Sequence, residues 1–92
     1  MSQLIEETIQ ALLSQAREGE SISPNDVAKA VHPEGGPKYW QRELPKVRAV
    51  ILGLARKGQI DMLRKGKPVA PEDVRGIYRI RRGPVAWPVR DQ

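Results

Sequence analysis

At Gly58 the hydrophobic pattern of this chain changes period, and that change limits the fold more than any other feature. Upstream, apolar residues recur at helical spacing. Ile5, Ile9, Leu12 and Ala16 form one such series, flanked by Leu4 and Leu13, and Leu44, Val47, Ile51 and Leu54 form a second. Downstream the pattern alternates: Ile60 and Met62 are interleaved with Asp61 and Leu63, and Tyr78 and Ile80 with Arg79 and Arg81. Helices followed by strands in a chain of 92 residues predict a single α+β domain.

Local signals place the elements. The first helix is expected over Gln3–Glu18, with Gly19 as its stop and Ser21-Ile22 as a brief edge strand. Ser23-Pro24-Asn25-Asp26 combines a hydroxyl N-cap, a proline at the first helical position and an acid in the first turn, so a second helix begins there. It should end by His32, because Pro33 disfavours helical geometry in the residue before it. Residues 33–37 read as a loop, and Pro45 fits best in the first turn of the third helix, which sets Tyr39–Arg42 apart as a separate preceding turn. Two strands then form a hairpin whose connection, Lys65 to Gly76, is long and basic at its tip. The expected fold is a winged helix-turn-helix over residues 1–82, a three-helix core with a small antiparallel β-hairpin wing. Residues 83–92 are expected to be an irregular tail, with Trp87 packing back on the domain or into a partner.

The motifs along this frame are Ser23-Pro24-Asn25-Asp26-Val27-Ala28, Trp40, Pro45-Lys46-Val47-Arg48, Gly58, Lys65-Gly66-Lys67-Pro68-Val69 and Gly76-Ile77-Tyr78-Arg79. Over about residues 5–82 they resemble a bacterial family of short winged-helix domains of unknown function. The resemblance implies the fold and carries no established activity. Where that family tends to have Gly-Pro before the last strand, this chain has Gly76-Ile77.

Charge is unevenly distributed. Residues 1–36 hold two basic and six acidic side chains, and residues 37–92 hold fourteen and five, so the two parts carry −4 and +9. That polarity suits a module that turns one side toward a polyanion; the plainer reading is charge that serves solubility alone. At about 100° per residue, Lys46, Ala49, Gly53 and Arg56 fall opposite the apolar stripe of the third helix, with Lys57 beside them and Arg42 extending the line. Cations reach phosphates or base edges, and the small residues between them allow close approach. The competing reading is a solvated face on which Arg56 and Lys57 complement the helix C-terminus. Lys65 and Lys67 place charge on the wing, and Arg79, Arg81 and Arg82 add more along the last strand. Arg48 lies nearer the core stripe, where an arginine bonded to a carboxylate or to backbone carbonyls is expected, and Trp40 reads as a core residue.

Duplex DNA is therefore the expected partner, and a homodimer with its basic helices roughly 34 Å apart would suit a palindromic site. The alternative is a protein–protein interaction module that uses Trp87, the prolines of the tail and the acidic first helix. Enzymatic chemistry is not expected: His32 is the only histidine, cysteine is absent, and no nucleophile–base pair or paired carboxylates stand out. The same inventory predicts no metal site and no cofactor, and the Gly35-Gly36 loop lacks the spacing and the downstream Lys-Ser or Lys-Thr of a phosphate-binding loop. No apolar run approaches the roughly 20 residues of a membrane span and the start has no secretory pattern, so a cytoplasmic location is expected, in keeping with the lack of cysteine.

Overall fold

The computed structural model describes residues 2–16, 20–74 and 76–84. Helix α1 (Ser2–Gln15) buries Ile5, Ile9 and Leu13, each four residues from the next and so on one face. The buried stripe runs through Leu13, and the helix stops three residues short of Glu18, leaving Ala16 beyond its end. Helix α2 (Pro24–Val31) is opened by a capping box: the Asp26 N–H donates to Ser23 Oγ at 3.1 Å, and the Ser23 N–H donates to the Asp26 carboxylate at 3.0 Å. Two of the N-terminal donors that a helix leaves orphaned are thereby satisfied. The helix turns Val27 and Ala28 inward and ends at His32.

Helix α3 runs unbroken over Pro37–Arg56, with Pro45 inside it, which corrects the expected separate turn at Tyr39–Arg42. An interior proline costs about 3 kcal/mol, through a lost hydrogen bond and a ring clash. Here Pro45 and Gln41 are both exposed, so water can reach the Gln41 carbonyl that Pro45 leaves unbonded. Upstream of Pro45, Trp40 and Leu44 pack against the core and hold the first two turns in line. Gly36 as N-cap and Pro37 at the first helical position start the helix. Its end is a Schellman motif: Gly58, at φ 77°, donates to the Ala55 carbonyl at 3.0 Å, and Gln59 donates to the Leu54 carbonyl at 3.1 Å. The reversal turns the chain directly into the sheet.

Strands β1 (Ile60–Arg64), β2 (Lys67–Val69) and β3 (Arg79–Arg82) form an antiparallel sheet in the order β2-β1-β3. Met62 faces Ile80 across one pair of strands and Val69 across the other. Ile60, Met62 and Ile80 close the core beneath Val47, Ile51 and Leu54 of α3. Ile22 joins as a single bridge, exchanging two backbone hydrogen bonds of 2.8 Å with Ile80, and this is all that forms of the brief edge strand. The connection expected to be one long wing loop instead contains β2, reached from β1 through a two-residue turn in which Lys65 and Gly66 have φ of 54° and 82°. Positive φ at both positions is what a type I′ hairpin requires. Pro68 is tolerated in β2 because that strand is an edge. A short 3-10 turn at Pro71–Asp73 follows and packs against α3. Three helices followed by a three-stranded antiparallel sheet give an α+β fold consistent with a winged helix-turn-helix. Among the described residues, no helix is long and apolar enough to cross a membrane.

Candidate functional site

Burial of Val47, Ile51 and Leu54 decides which way the rest of α3 points. Opposite them, at about 100° per residue, lie Lys38, Arg42, Ala49, Gly53 and Arg56, with Lys46 at one edge of the stripe. The cations Lys38, Arg42, Lys46 and Arg56 are all exposed, as is Lys57 at the C-cap. None of these five makes an ion pair or hydrogen bond through its side chain among the described residues. Lys38 joins the stripe only because α3 begins at Pro37. Reading residues 33–37 as loop missed it, although Gly36-Pro37 carried the start signal.

Gly53 sits within this stripe, and a Cβ added to it would meet nothing within 4 Å. A glycine inside a helix is about 1 kcal/mol less favourable than alanine. No close contact within the fold demands it.

On the sheet side the expected cations divide into two groups. Lys65 and Lys67, on either side of Gly66 in the β1–β2 hairpin, are exposed and make no side-chain hydrogen bond or ion pair among the described residues. Arg79 braces the chain: its Nε donates to Ser21 Oγ at 2.7 Å and its Nη2 to the Ser21 carbonyl at 2.8 Å. Arg81 pairs with Asp61 at 3.4 Å, directly across the β1–β3 ladder. Arg82 reaches Ser14 Oγ of α1 at 3.3 Å. The β3 arginines are thus bonded within the fold, whereas the exposed cations of α3 and the hairpin lysines make no such bond among the described residues.

Arg48, expected to be bonded, is exposed and has no carboxylate or carbonyl partner among the described residues. Its charge is felt by Tyr78, whose hydroxyl pKa is raised above 10.0 by burial while the Arg48 guanidinium pulls it back. α3 and the segment leading into β3 therefore meet at Arg48. Trp40 packs against the core as expected, with Lys29 Nζ 5.2 Å from its ring centroid. His32 Nε2 lies 3.6 Å from a Glu43 carboxylate oxygen, linking the end of α2 to α3. Among the described residues, no three His, Cys, Asp or Glu side chains come together as a metal-binding group. Trp87 and the rest of residues 85–92 lie outside the described residues.

Comparison with curated proteins finds no match. Residues 2–83 match the model of a family described as "Protein of unknown function (DUF3253)", and the chain belongs to that family.

Proposed function

We propose that the protein binds duplex DNA as a cytoplasmic winged helix, laying the outward face of α3 in the major groove and the β1–β2 hairpin turn on the neighbouring backbone. The observation that carries this reading is the exposed face of α3, where Lys38, Arg42, Lys46 and Arg56 surround Ala49 and Gly53. Long cations at the margins reach phosphates while the small residues between them let the helix axis approach the bases. Lys65 and Lys67 extend the charge to the hairpin. The order of helices and strands supports the winged-helix assignment, and the cysteine-free composition suits a reducing compartment.

The test is fluorescence anisotropy of a labelled duplex across a salt series. Six neutralised phosphates give a slope of about −5 in log affinity against log salt. A Lys46→Glu, Arg56→Glu double variant keeps its circular dichroism spectrum and loses binding. Absence of wild-type binding to mixed-sequence duplex at low salt overturns the proposal.

A further inference from the structure

Ile77 is 90 % exposed, the most exposed of the large apolar side chains among the described residues. It stands at the lip of a cavity of about 360 Å³ whose other walls include Leu63, Tyr78, Arg64, Lys65 and Arg79. Leu63 is buried yet lies outside the main core, because it alternates with the inward-facing Met62 and so sits on the other face of the sheet. The cavity therefore has an apolar floor and lip and a cationic rim, and no carboxylate lines it.

That combination restricts the occupant. A second copy of the chain, seated on the same patch by two-fold symmetry, would bring its own Arg64, Lys65 and Arg79 against these, a repulsive arrangement. A sugar-phosphate backbone offers the complement, with the C–H surface of a deoxyribose flanked by phosphates.

Resting on the DNA reading above, we infer that Ile77 and the cavity beside it seat one deoxyribose-phosphate unit of the duplex, with Ile77 and Leu63 against the sugar and Arg64 and Lys65 toward its phosphates. Ile77 is then a contact that adds affinity without adding charge.

The experiment compares wild type, Ile77→Ser and Lys65→Ala for binding to one labelled duplex by anisotropy over a salt series, with light scattering on each unbound protein. Ile77→Ser should leave the melting midpoint unchanged, as expected of so exposed a side chain. It should weaken binding about tenfold at every salt concentration, the order expected for a partly buried isoleucine. Its salt slope should equal that of wild type, whereas Lys65→Ala should make the slope shallower by about one. Wild-type affinity in Ile77→Ser overturns the inference and leaves the DNA reading standing. A wild-type dimer that Ile77→Ser splits into monomers also overturns it, assigning the patch to self-association. Absence of duplex binding by the wild type removes both proposals together.

Discussion

The backbone N–H of Gly83 donates to the carbonyl of Gln59 at 2.9 Å, and the two segments lie so close that a Cβ on residue 83 would overlap the Gly58 carbonyl oxygen. The obstructing atoms are all backbone, from Gly58 and Gln59 in the turn after α3 and from Ile60 at the start of β1, so they cannot swing aside as the end of a side chain would. Gly83→Ala is expected to destabilise the fold by about 1–3 kcal/mol, the usual cost of forcing an extra carbon into a packed site. Urea denaturation should show the transition midpoint falling with the slope unchanged.

Gly53 presents the opposite case, since its missing Cβ faces open space. Gly53→Ala should raise stability by about 0.5–1 kcal/mol through helix propensity. If the outward face of α3 enters a groove, the same substitution weakens duplex binding. Thermal melting and anisotropy on one preparation read both effects, and a gain in stability with unchanged affinity would place Gly53 outside the interface.

Asp61 holds Arg81 in an ion pair at 3.4 Å between two partly exposed side chains. Such a pair contributes about 0–1 kcal/mol, so Asp61→Asn should change stability little. It releases a cation and removes an anion on the β1–β3 face. Duplex affinity at low salt should rise, and the gain should shrink as salt is added.

Tyr78 links stability to alkaline pH. Burial raises its hydroxyl pKa in the folded state above the ordinary 10.0, so the folded protein holds that proton more tightly than the unfolded chain. The associated stability is fully present below pH 10.0 and is lost as pH rises toward the folded value. Tyr78→Phe should remove this part of the alkaline loss. Arg48→Ala should move tyrosinate formation to still higher pH, since the guanidinium lowers the pKa. Absorbance titration of the folded protein measures the second effect, and denaturation on either side of pH 10.0 measures the first.

The elements that could be read from the sequence are those whose signals are local. Ser23, Pro24 and Asp26 fix the start of α2 within four residues, and Gly58 ends α3 by a backbone conformation that few other residues adopt readily. The beginning of α3 was hidden because Pro45 reads as a helix start when its neighbours are unknown. The packing of Trp40 and Leu44 that carries the helix past it is tertiary. Strand β2 was hidden for a related reason: Lys65-Gly66 is a weaker hairpin signal than Asn-Gly, and Pro68 argues against a strand until β2 is known to be an edge. Within the candidate site, exposure of the α3 cations follows from helical periodicity. The engagement of Arg79 with Ser21 joins residues 58 apart, and no periodicity anticipates it.

The bridge between Ile22 and Ile80 also spans most of the chain, and it imposes an order of events during synthesis. A helix as short as α2 is marginal on its own, and the fully buried Ile80 and its backbone partners for Ile22 arrive only when β3 has been made. Until then Ile60 and Met62 of β1 lack the Ile80 side chain that packs beside them in the core. The native core is therefore complete only once β3 has paired, through contacts of long sequence separation that form slowly.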